Sequence, residues 1–236
     1  RSMTTDHWFH IADIQRLDSP ALVVFPERVR ANIRTAIDMA GGTERLRPHV
    51  KTNKSSDATG LMMQAGIQKF KCATIAEAEM LGRCGAQDVL LAYQPLGPKL
   101  HRLVALIKKY PHTHYSCLVD NHKAAEEQSA VFSENGLQVP VYIDLNIGMN
   151  RTGIAGEDAA IHLFVACSTL PGIQPVGLQA YDGHIRQTDF EARKSQCDAT
   201  FLIVESIKNA LVKTGLPAPL VVAGGSPTFP IHAQRK

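Results

Sequence analysis

Arg47, His49 and Lys51 alternate with Leu46, Pro48 and Val50 in the run Leu46-Arg47-Pro48-His49-Val50-Lys51-Thr52-Asn53-Lys54. Read as a short strand entering a loop that opens a helix, the alternation puts three basic groups on one face. Cations so crowded repel one another unless something anionic sits among them. Crowding and burial work against the charged form of a lysine, and the neutral amine is the nucleophile. Lys51 is therefore a candidate for Schiff-base chemistry with a phosphorylated aldehyde, a ligand that brings both a carbonyl and negative charge. The same residues also suit an ordinary exposed lysine at a strand end, so the rest of the chain has to decide.

Three further stretches carry groups that such a ligand would need. Gly224-Gly225-Ser226-Pro227-Thr228 ends an apolar run with small residues whose N–H and hydroxyl groups can face a phosphate, or simply make a strand-ending turn. Gly148-Met149-Asn150-Arg151-Thr152-Gly153 is a loop that can hold Arg151 against an anionic phenolate or carboxylate, or leave it on the surface. Tyr181-Asp182-Gly183-His184 places a ring that could stack on a planar cofactor beside a histidine able to move protons or meet a metal. His112-Thr113-His114 has the spacing of a metal pair but precedes a strand, at the end opposite this chemistry, and reads as surface.

The elements that must position these residues alternate between two periods. Apolar strands are expected at Ala21–Phe25, in the lysine run, and at 69–73, 88–93, 115–119, 139–145, 176–180 and 220–223. Helical patterns fill the gaps: from Pro26 to the Gly41-Gly42 pair, then 57–65, 75–81, 98–109, 122–134, 157–168 and 190–213. About seven βα strands, counted from the lysine run, predict a TIM-like (β/α)8 barrel, and the four candidate stretches fall at the C-terminal ends of strands, where barrels place their chemistry. A doubly wound open sheet is the alternative, without a Gly-rich dinucleotide fingerprint after the first strand. The 236 residues carry 44% hydrophobic residues and a net charge of +3 with scattered Lys and Arg, which suggests no nucleic-acid or membrane partner. Five cysteines without a CxxC pair suit reduced thiols in a cytoplasmic protein.

Taken together, the lysine run, Asp18-Ser19-Pro20-Ala21-Leu22-Val23 and the three stretches above resemble, in order, the D-threonine aldolase and D-serine dehydratase group of alanine racemase-like pyridoxal-phosphate enzymes. The resemblance implies a barrel of the alanine racemase N-terminal type over 1–236, with an N-terminal segment at 1–17. It also implies that strand 18–25 pairs with a C-terminal β domain. By that likeness Lys51 carries the cofactor, His49 belongs to its site, Arg151 approaches its 3-hydroxyl, and Tyr181 lies against its ring. Gly225, Ser226 and Thr228 would hold its phosphate, and His184 would serve as the catalytic base. Asn53 and Asn146 depart from the histidine and aspartate usual in the aldolases. The chain stops before the expected last strand and C-terminal domain, which in relatives would bring ligands for a divalent metal (Mn, Mg or Zn) and part of the partner's site. The implied activity is a lyase on D-β-hydroxy amino acids, homodimeric when full length. A dehydratase, a racemase and a non-catalytic pyridoxal-phosphate carrier remain as alternatives.

Overall fold

The computed structural model describes residues 7–235. Six strands, β1 (Lys69–Cys72), β2 (Asp88–Leu91), β3 (His114–Val119), β4 (Val139–Leu145), β5 (Ile173–Ala180) and β6 (Leu220–Ala223), pair in parallel in sequence order. The connections are helical: α1 (Pro26–Ala40) and α2 (Ser56–Gln64) come before β1, and α3 (Ile75–Arg83), α4 (Pro98–Lys109), α5 (His122–Glu134), α6 (Glu157–Ser168) and α7 (Phe190–Lys213) join successive strands. The sheet curls into an incomplete (β/α)8 barrel, the architecture expected from the strand–helix alternation.

Local chemistry explains the boundaries. Pro26 opens α1, and Gly41 closes it in the left-handed region at φ 72°. Ser55, Thr74, Asn121 and Asp189 each accept the backbone N–H three residues on, capping α2, α3, α5 and α7. The outward side chains of the strands, among them Phe70, Cys72, Val89, Leu91, Val141, Ile143 and Leu178, join the helices in one core. The inward face holds a smaller cluster of Leu90, Leu118 and Tyr142, with polar residues above it toward the C-terminal mouth. All five cysteines are free thiols, and no helix among the described residues is long and apolar enough to cross a membrane.

Three expectations need correction. The lysine run makes a single bridge, His49 to Lys71 on β1, and then turns as a 3-10 segment, Val50–Thr52. Pro48 has no N–H to extend a ladder, and the amides of Asn53 and Lys54 turn back to the Val50 carbonyl. Ala21–Phe25 forms no ladder; Leu22, Val23 and Val24 are exposed, so the strand expected at 18–25 is absent among the described residues. A short helix, α8 (Phe229–His232), follows the Gly-Gly-Ser-Pro-Thr turn, where no element was anticipated. The expected N-terminal segment 1–17 falls partly outside the described residues, whereas His112 and His114 are exposed at the N-terminal end of β3, as read.

Candidate active site

The mouth gathers the expected residues from three elements. The Lys51 Nζ lies 5.8 Å from the centre of the Tyr181 ring, and the Arg151 guanidinium carbon lies 5.2 Å from it. Tyr181 is therefore the ring on which the lysine turn and the arginine loop meet, with both cations within cation–π range of it. Its ring also packs on the Gly-Gly turn, where a Cβ on Gly225 would come within 3.2 Å of it.

The arginine loop leaves β4 and returns to it. Ile154 bridges Leu145, its N–H donating to the Asp144 carbonyl, while the Asn146 N–H donates to Ile154. Inside this loop Asn146 Oδ1 accepts the amides of Gly148 and Asn150. Gly153, at φ 98°, would put a Cβ 2.7 Å from the Asn146 nitrogen, so the closure requires glycine. The Gly153 amide donates to Asp120, and Gln94 bridges Asp120 and Asp144 at 3.0 and 2.9 Å. Burial raises the Asp144 carboxyl above the ordinary carboxylate range. His184 packs beneath the loop: a Cβ on Gly148 would lie 2.6 Å from its Nε2, and its buried Nδ1 has no hydrogen-bond partner.

On the lysine side, Arg47 makes a two-pronged ion pair with Asp88, at 2.6 and 2.8 Å. Part of the anion expected among the basic residues is thus supplied by β2. His49 accepts the Lys51 amide at Nδ1. Burial first, then the charges of Lys71 and Lys51, lower the His49 imidazole to about 4, so it is neutral at physiological pH. Lys54 pairs with buried Glu77, whose other oxygen accepts the Ala73 amide at 2.7 Å.

The phosphate-type turn divides its residues. Ser226 is exposed, with no hydrogen bond from its hydroxyl. The Gly225 N–H and the Thr228 hydroxyl both donate to Asp182 Oδ1, at 2.8 and 2.7 Å, so they support the turn from within rather than offering free donors. Asp182 Oδ2 takes His232 Nε2 at 2.8 Å, and Cys197 Sγ stands 3.4 Å from the same nitrogen. Burial alone would raise the Asp182 carboxyl; hydrogen bonds from His232, Thr228 and Gly225 hold it below the usual range. Asp182, Cys197 and His232 are also the one group among the described residues close enough to share a metal ion. Arg235, however, donates to His232 Nδ1 at 3.1 Å and approaches Cys197 at 3.7 Å, which puts a cation against two of the three ligands. The cluster is a hydrogen-bonded lock for α8.

The sequence reading missed Lys71, Asp144 and Asp182. Lys71 had a signal: Lys69 and Lys71 alternate with Phe70 and Cys72, the period that turns a basic face inward. Asp182 had none, because its partners lie 43 to 50 residues away.

Residues 25–235 match the alanine racemase N-terminal domain. The chain is 29% identical to a 3-hydroxy-D-aspartate aldolase of Paracoccus denitrificans, covering 92% of this chain and 57% of that protein. It is 28% identical to a D-threo-3-hydroxyaspartate dehydratase of Delftia sp., over 90% of this chain and 56% of the relative. The crystal structure of D-threonine aldolase from Filomicrobium marinum superposes with a TM-score of 0.85 at 28% identity, covering 92% of this chain and 58% of that one. The chain thus spans a little over half the length of the relatives it matches. With a lysine, an arginine and an aromatic ring meeting at the mouth of a parallel barrel, and the match running from Phe25 to Arg235, this chain belongs to the alanine racemase N-terminal domain family.

Proposed function

We propose that the intact protein is a pyridoxal-phosphate lyase that cleaves D-β-hydroxy amino acids to glycine and an aldehyde. The observation that carries this reading is the convergence of Lys51 and Arg151 on the ring of Tyr181. These residue types fit the cofactor: an amine for its aldehyde, a planar cation for its ring oxygen, a flat ring to pack on, and an exposed Ser226 in a turn of small residues for its phosphate. When bound, pyridoxal phosphate supplies an electron sink for the carbon left by the breaking bond. Lys51 would hold the cofactor through its amine, and Arg151 would face its anionic oxygen. Gly225 and Thr228 keep the turn in shape through Asp182, and neutral His49 fixes the Lys51 backbone. His184 takes the β-hydroxyl proton as the Cα–Cβ bond breaks; its position under the arginine loop and its unpartnered Nδ1 support that role.

The described residues do not fit a catalytic divalent metal, since the Asp182–Cys197–His232 group holds Arg235 instead. We further infer that 18–25 meets a C-terminal β domain, that the intact protein is a homodimer, and that it works in the cytoplasm. The exposed Leu22, Val23 and Val24 and the five free thiols support these readings. A dehydratase is the second reading, favoured by the Delftia relative.

Products decide between the two. The intact protein given D-threonine should release acetaldehyde and glycine; 2-oxobutanoate and ammonia would make it the dehydratase, and the Cα epimer, L-allo-threonine, a racemase. Borohydride reduction followed by peptide mapping should find the pyridoxyl group on Lys51 and no adduct in Lys51→Ala. A label on Lys54 or Lys71 would sink the assignment.

A further inference from the structure

Buried charged groups in the described residues come with partners, with one exception. Glu77 holds Lys54 and the Ala73 amide, Asp144 holds Gln94, and Asp182 holds His232, Thr228 and Gly225. Lys71 is 7% exposed, yet its ammonium makes no hydrogen bond or ion pair among the described residues. The ammonium keeps a little exposure, but a charge so largely stripped of water and without a protein partner is unfavourable.

Its place in the fold is defined. Lys71 is bridged in parallel to His49, so the two side chains share the inward face, and Lys51 stands two residues further toward the mouth. The charges that act on it are Lys51 and Arg47 from the lysine segment, Asp144 from β4 and Asp182 from beyond β5. Arg47 is already committed to Asp88, and the two carboxylates are engaged by Gln94 and by His232 with Thr228. On β5, Gln179 is also buried, with its Oε1 unpartnered. Burial, followed by the charges of Lys51 and Arg47, lowers Lys71 to about 8, which leaves it mostly charged at neutral pH.

We propose that Lys71 is the anion-receiving cation of this mouth, taking an anionic oxygen of what binds at Lys51. The chemistry is a phosphate, ring oxygen or carboxylate, from the cofactor or from the amino acid. The inference rests on the proposed cofactor reading but adds a residue to it. A lysine kept for packing would stabilise the empty protein, whereas one kept for a ligand destabilises it until the ligand arrives.

The test compares Lys71→Met, which keeps length and removes charge, with Lys71→Arg, which keeps charge, in the intact protein. The unliganded Met variant should melt about 2–4 °C above wild type. Its affinity for pyridoxal phosphate, or its stabilisation by the dicarboxylate malonate, should fall about tenfold. The Arg variant should stay within about threefold of wild type on the same measure. Loss of cofactor affinity with malonate stabilisation retained assigns the anion to the cofactor; the converse assigns it to the substrate carboxylate. If the Met variant melts lower than wild type and keeps both affinities, Lys71 is structural and the proposal fails. If the proposal fails while wild-type Lys51 still gives its borohydride adduct, the cofactor reading stands. If the wild type gives no such adduct, the cofactor reading falls, and the malonate arm decides Lys71 on the protein as isolated.

Discussion

The two flanks of the mouth are built on opposite principles. On the β6 flank, the buried polar groups answer one another: Asp182 holds Gly225, Thr228 and His232, and Arg235 holds His232 and Asp198. On the β1 flank, Lys71 has no hydrogen-bonded or ion-paired partner among the described residues, and the Lys51 ammonium meets only the Tyr181 ring among them. A protein can hold a shape with satisfied groups, but it must leave groups unsatisfied where a ligand is to supply the missing partner. The difference separates frame from site within a single ring of strands.

The largest expected effect breaks the frame. Asp182→Ala removes one acceptor and leaves the Thr228 hydroxyl, the Gly225 amide and the His232 ring without it, at a cost of about 3 kcal/mol. The melting temperature should drop by about 6–12 °C. Unchanged melting would show that the β6 flank is no frame at all. A smaller effect comes from pH on the other flank. The His49 imidazole is lowered to about 4 in the folded chain against 6.5 unfolded, so between those values the unfolded chain binds more protons. Stability should therefore rise with pH across that window and fall on acidification, by on the order of 1–2 kcal/mol after solvent screening. Urea midpoints at pH 5 and pH 7 should differ in wild type and converge in His49→Asn. The smallest effect sharpens the reading of the lock. Cys197→Ala removes only weak sulfur contacts and should cost about 1 kcal/mol, with no change in metal content by elemental analysis. Stoichiometric zinc lost with that substitution would turn the lock into a metal site.

What the sequence disclosed about this mouth follows the range of the forces involved. Strand–helix alternation and the capping residues Ser55, Thr74 and Asn121 are local, and the parallel order of β1–β6 followed from them. Lys51, Arg151 and Tyr181 were legible because each sits at a strand end, where a barrel must converge. The extent of the lysine strand was misjudged because Pro48 and the turn-back of Asn53 outweigh β alternation. Ala21–Phe25 has strand composition, but a strand exists only through its partner, and none pairs with it among the described residues. The assignment of Gly225 and Thr228 missed Asp182 because the competing acceptor arrives from β5, a contact no local pattern announces. Lys71 could have been noticed, since a basic residue alternating with Phe70 and Cys72 faces inward in a sheet covered by helices.

Arg45, just ahead of the lysine segment, grips the end of α8: its guanidinium donates to the Ala233 carbonyl at 2.9 Å and to that of His232 at 3.2 Å. Neighbouring strands are also neighbours along the chain, so the sheet can assemble in short steps, whereas this clasp spans 188 residues. That separation predicts a contact made late in folding, after the strands have found one another. A contact absent from the transition state governs how fast the native protein opens and leaves the speed of its formation untouched. Arg45 is in that sense a latch on lifetime: without it the chain would fold at the same rate and come apart sooner.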